Sequence, residues 1–169
     1  MKDFLRRNKK MSFLLLIIRL YLGIIWFTHG WEKISGKTFD ATGFFKEAIQ
    51  KSAGDGAIVQ GWWALVVQLL FLPNVEVINY LIPLGEFFVG LALLLGAFTS
   101  TALYIAVFLN FSYLLSGSVD INPQMILWSL LLLGAKDNAG RIGMDGWVFN
   151  TIKKKMNPPA KPAGAKPPM

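Results

Sequence analysis

Apolar side chains gather in four long runs along the chain, parted by short polar breaks. The first is Met11 to Trp31, MSFLLLIIRLYLGIIWFTHGW. As a helix its twenty-one residues rise about 31 Å, enough to cross a bilayer core. The second runs from Val75 to about Gly96, the third from Thr99 to Leu115, and the fourth from Asn122 to about Ala135. About two residues separate the second run from the third, so these two form a tight antiparallel pair. The pattern predicts an all-α membrane protein built as a four-helix transmembrane bundle.

Residues 32–74 form an insertion between the first two runs. Its first part is polar and rich in Gly and Lys. Its second part, AIVQGWWALVVQLLFLP, is apolar up to Pro73. That segment reads either as a fifth span or as an interfacial or re-entrant helix, with Trp62 and Trp63 suited to headgroup level.

Charge placement bears on the choice. Five cationic residues and one anionic residue precede the first run, and seven cationic and two anionic follow the fourth. The region from Glu32 to Glu76, together with Asp120, holds four cationic and six anionic residues. Basic ends and an acidic middle fit the positive-inside rule when both termini are cytoplasmic. An even number of crossings follows, with residues 57–72 dipping in from the outside. The expected organisation is a basic cytoplasmic N-terminus (1–10), a four-helix domain (11–135, with the extracytoplasmic insertion), a cytoplasmic turn and amphipathic helix (136–156), and a Pro-rich flexible tail (157–169). The location expected is the inner (cytoplasmic) membrane, multi-pass.

Composition agrees with that picture. Apolar residues make up 54% and charged residues 16%; a soluble domain carries about 25% charged residues, so a soluble globular enzyme is disfavoured. A signal peptide is a poor reading of the first run, which contains Arg19, exceeds an h-region and lacks a small-x-small cleavage site before His29. The absence of cysteine removes thiol redox chemistry and thiolate metal sites. With a single histidine, no conventional metal set is expected. The net charge of +7 sits at the two ends, with no basic and aromatic alternation to meet nucleic acid. Membrane lipids are the partner it implies.

The few polar residues inside the apolar runs carry the chemistry. Arg19 and Glu86 fall at similar counted depths, which predicts an ion pair, since either charge alone in hydrocarbon is expensive. Arg19, Gly23, Trp26 and Gly30 share one helical face. Asn79, Pro83, Glu86 and Gly90 share another, and Ala106, Asn110, Tyr113 and Gly117 a third. These small and polar stripes are expected to turn inward and to let the helices approach closely. His29, Asn79, Asn110 and Tyr113 would lie in the outer half, lining a small site open to the outer face. His29 reads either as an interfacial side chain or as a proton donor and acceptor. Pro83 removes a backbone hydrogen bond one turn before Glu86. The stretch from Lys136 to Asp145 has Gly and Lys but lacks GxxxxGK and GxGxxG, and reads as a turn. Asp145 is expected to cap the last helix, whose Trp147 and Phe149 would face lipid near Lys153, Lys154 and Lys155.

The ordered set Arg19, Gly23, His29-Gly30-x-x-Lys33, Pro83-Leu84-Gly85-Glu86-x-x-x-Gly90, Gly96, Asn110 and Gly143-x-Asp145 resembles the DoxX family of small membrane proteins, over about Leu14 to Trp147. The resemblance implies a four-helix membrane bundle related to the DoxD-type subunit of thiosulfate:quinone oxidoreductase. It suggests a quinone or similar lipid-like aromatic as ligand. The catalytic candidates are then His29, for proton exchange, and Glu86, for polarising Arg19 or receiving a proton. Arg19 would anchor the ligand and Asn110 orient a ring oxygen, with Trp26, Lys33, Asn79 and Tyr113 as further binding candidates.

Three functions stay open at this point. The first is a membrane subunit of a quinone-linked oxidoreductase, served by a soluble or membrane redox partner that brings electrons. The second is a scaffold or assembly partner for soluble redox enzymes, and the third a small-molecule carrier. Whether the chain is an enzyme by itself is left undecided. The small-residue surfaces also permit a homodimer.

Overall fold

The computed structural model describes the backbone of residues 2–37 and 39–156. The expected Pro-rich tail (157–169) and the side chains of Lys153, Lys154 and Lys155 lie outside the described residues. The described chain is all-α. After the short helix α1 (Lys2–Arg7) comes α2 (Lys9–Gly36), 28 residues long. The Asn8 side chain starts α2 by accepting from the Lys10 amide at 2.8 Å. Helix α3 (Thr42–Gln50) follows. Then one continuous helix, α4, spans Gly61–Leu95 over 35 residues. Helices α5 (Thr99–Leu115), α6 (Asn122–Ala135), α7 (Asp137–Gly140) and α8 (Met144–Met156) complete the order.

Glycine sets the central packing. A methyl group built on Gly30 would lie 2.3 Å from the Phe87 nitrogen, and one on Gly90 would lie 2.2 Å from the Phe27 nitrogen. At Gly23 the nearest atoms belong to Leu94, at 3.0 Å. Helices α2 and α4 therefore touch backbone to backbone, as small residues allow in membrane helices. As one number of each contact rises the other falls, so the pair is antiparallel. Helix α5 packs on α4 and on α6, and α6 returns to α2, which closes a ring. Inside it, Leu15, Leu22, Val89, Leu93, Leu103 and Leu132 are buried. Outward, Phe13, Ile24, Leu81, Phe88, Phe108 and Leu127 are exposed, an apolar surface suited to lipid.

Two expectations are corrected here. Among the described helices only α2 and α4 are long and apolar enough to cross a membrane, so the four-helix transmembrane bundle is not what the structure supports. Helix α5 has 17 residues and α6 has 14, against the ~20 apolar residues of a spanning helix. The separate interfacial or re-entrant helix is also absent: its residues are the first third of α4. A π turn over Val67–Phe71 and a 3-10 turn over Leu72–Asn74 carry the helix past Pro73. Widening the helix there accommodates a residue that cannot donate to the preceding turn, and the Asn74 side chain donates to the Leu70 carbonyl at 2.7 Å.

The insertion has its own small core. Ala41, Phe45 and Ala48 of the α3 segment are buried, as are Val59, Trp63 and Val67. The Trp63 indole donates to Ser116 Oγ at 2.9 Å, tying this cap to the end of α5. A cavity lies where cap and ring meet.

Candidate functional site

The cavity has a volume of about 250 Å³. Helix α2 contributes Trp26, His29 and Lys33 to its wall, α4 contributes Glu86, and α5 contributes Asn110 and Tyr113. Phe39, Asp40 and Phe44 of the cap close one side, and Met125 of α6 another.

Glu86 is the centre of the polar wall. It is 1% exposed, and both carboxylate oxygens accept from Lys33 Nζ at 2.6 Å. Tyr113 Oη donates to Oε1 at 2.5 Å. A buried carboxylate needs such partners, because an uncompensated charge away from water is costly. Lys33 also stands 5.1 Å from the Phe39 ring centre and 5.8 Å from that of Tyr113, within cation–π range. Phe44 meets Tyr113 edge-on at 6.0 Å.

Beside this satisfied cluster stand polar groups without partners. Asn110 is fully buried, and neither its amide nitrogen nor its oxygen is hydrogen-bonded. Trp26 is 2% exposed, and its indole N–H is unpaired too. Unpaired buried polar groups each cost about 1–3 kcal/mol, and two residues in the wall of one cavity carry them. Two donors and one acceptor are on offer. They match a ring bearing carbonyl oxygens, or the corresponding hydroxyls, and the cavity is near the lower limit of ligand clefts.

Six of the eight candidate residues meet here: Trp26, His29, Lys33, Glu86, Asn110 and Tyr113. His29 is an exposed member of the lining. Asn79 stands behind the wall. Its side-chain oxygen accepts from the Ala41 amide at 2.8 Å and its nitrogen donates to Asp40 Oδ1 at 3.2 Å, so it pins the cap segment over the cavity. Hydrogen bonds from the Thr42 hydroxyl and amide, then from Asn79, hold the Asp40 carboxyl below the usual range.

Arg19 is elsewhere. Its guanidinium donates to the carbonyls of Ala139 at 2.8 Å and Ile142 at 2.7 Å, and it packs on Gly96, where an added methyl would lie 2.7 Å from Nη1. The expected ion pair with Glu86 is not formed. The glycine register sets Glu86 level with Trp31, twelve positions along α2 from Arg19, about 18 Å. Gly143 also abuts Gly96, and the Asp145 amide donates to the Gly96 carbonyl at 2.8 Å. Asp145 caps α5 rather than its own helix, accepting from the Phe98 and Thr99 amides at 2.8 Å each. These residues thus form two clusters, one lining the cavity and one knotting the opposite end. No group of three or more potential metal ligands occurs among the described residues.

The sequence matches the DoxX family over residues 14–116. The chain belongs to the DoxX family. The match takes in α4, α5, the cap and nearly all of α2, and so the whole Lys33–Glu86–Tyr113 cluster. DoxX proteins are membrane-associated, and the two long apolar helices of this member agree. Neither the curated proteins nor the solved structures provide a match to this DoxX chain.

Phe39, Asp40 and Phe44 were missed by sequence reasoning. Their one local signal was Asp40 two residues before Thr42, a helix-start pattern, and it says nothing about a distant cavity.

Proposed function

We propose that this chain is the membrane subunit of a quinone-linked oxidoreductase, and that the 250 Å³ cavity receives the quinone ring. The observation that carries the reading is the unpaired pair Trp26 and Asn110. The Trp26 N–H and the Asn110 amide N–H would donate to ring oxygens. The Asn110 oxygen would accept from a ring hydroxyl, so one side chain serves both redox forms. A quinone supplies two-electron, two-proton chemistry when bound. Glu86, already bonded to Lys33 and Tyr113, is the group that takes up or returns a proton at its Oε1 or Oε2, and Lys33, partly exposed, links it to the outside of the cavity. His29 is a second proton carrier at the exposed part of the lining. The electron donor is a redox partner.

The test is extraction of the protein, purified in gentle detergent, with quinones quantified by mass spectrometry. A quinone present at one per chain, lost in Asn110→Leu and in Trp26→Phe while both variants stay folded, is the expected result. Equal quinone content in all three proteins would sink the reading and favour a scaffold for soluble redox enzymes.

A further inference from the structure

A second and larger cavity, about 730 Å³, opens at the other end of the helices. It is remote from Glu86 and contributes nothing to the site above. Cationic residues line it from three places: Arg6 of α1, whose Nε donates to the Gly134 carbonyl at 3.2 Å, Lys136 between α6 and α7, and Arg141 after α7, which is already partnered. Two carboxylates share the wall, Asp137 and Asp145, but Asp145 is taken up by the Phe98 and Thr99 amides. The hydroxyl of Thr99, a residue 3% exposed, has no hydrogen-bond partner. Lys136 holds a strained backbone, φ 51° and ψ −130°, of the kind that persists where surrounding structure enforces it. At the rim Phe98 is 79% and Phe149 59% exposed. Phe98 follows closely on Leu95, which ends α4 and is also exposed.

We infer that this cavity binds a phosphate-bearing anion, presented to it as the headgroup of an anionic phospholipid. The Lys136 ammonium, the remaining guanidinium nitrogens of Arg6 and the unpaired Thr99 hydroxyl suit phosphate oxygens, and the exposed Phe98 and Phe149 suit the start of an acyl chain. The site is no glycine-rich phosphate loop. Its charges converge from three elements, in the manner of basic pockets that hold acidic lipid headgroups.

Native mass spectrometry of the full chain in detergent tests this, with phosphatidylglycerol, phosphatidylcholine or inorganic phosphate added in turn. Phosphatidylglycerol should be retained in preference to phosphatidylcholine. Lys136→Gln should weaken its binding about fivefold. Lys10→Gln, which removes the same charge from an exposed position outside the cavity, should not. Thr99→Val should weaken binding without lowering the melting temperature, since the hydroxyl it removes has no partner in the protein. Equal retention of both lipids, or equal effects of Lys136→Gln and Lys10→Gln, would overturn the site in favour of general surface charge. Inorganic phosphate that binds alone with the same dependence on Lys136 and Thr99, and displaces the lipid, would uphold phosphate recognition and overturn the lipid as its source.

Discussion

At the scale of single residues, Lys33 and Glu86 behave as one unit. Glu86 is buried and Lys33 supplies a charge to both its oxygens. Removing Lys33 alone leaves a carboxylate with only the Tyr113 hydroxyl. Lys33→Met should therefore destabilise the protein by roughly 3 kcal/mol, and Lys33→Met with Glu86→Leu should recover most of that loss. Thermal melts of the two variants in one detergent measure it, and a double variant no better than the single would show that the pair is not coupled. Glu86 was legible in the sequence as a group that needs a partner. The partner was not. Depth counted from apolar borders pointed to Arg19, while the chosen cation lies beyond the border, on the polar turn that ends α2. Residues at the edge of an apolar run look like solvated ends unless something folds over them, and here the cap does.

At the scale of elements, the α2–α4 seam depends on missing side chains. Gly30 and Gly90 each face backbone atoms closer than a methyl group allows, whereas nothing lies within 4 Å of a methyl on Gly85. Gly30→Ala or Gly90→Ala should cost about 1–3 kcal/mol through forced separation of the helices. Gly85→Ala, on the same helix as Gly90, should be neutral or slightly stabilising. Denaturant or thermal unfolding of the three variants decides the matter; a loss at Gly85 equal to that at Gly30 would mean that glycine matters there for helix flexibility rather than for close approach. The same scale accounts for α4. Pro73 read as an end, but the π turn and the Asn74 side chain let the helix run through it. A sequence shows the missing N–H and not the neighbouring turn that absorbs it.

At the scale of the whole molecule, the two cores make the cavity. The ring of α2, α4, α5 and α6 supplies Trp26, Glu86 and Asn110, and the cap supplies Phe39 and Phe44. Trp63 joins them by burying its ring in the cap and donating to Ser116. Trp63→Ala should loosen the cap by about 3 kcal/mol, or roughly a hundredfold in local opening. Hydrogen exchange should then speed up across Thr42–Gln50 and stay slow along the α2–α4 seam. Uniform acceleration would mean that cap and ring unfold as one body, so that the cap cannot open by itself.

Hydrophobic patterning alone determined that the chain is helical and membrane-associated, because burying or lipid-facing apolar side chains leave their imprint at every position. The three small and polar stripes, and six of the residues that line the cavity, were likewise readable, since a polar group in or beside an apolar run is conspicuous by its cost. How many helices are long enough to cross a membrane, which cation meets Glu86, and where Arg19 and Asp145 find their partners were decided only by tertiary structure. Those outcomes depend on helix register and on contacts between residues distant in the chain. Register here is set by where two glycines let backbones touch, and no local pattern encodes that.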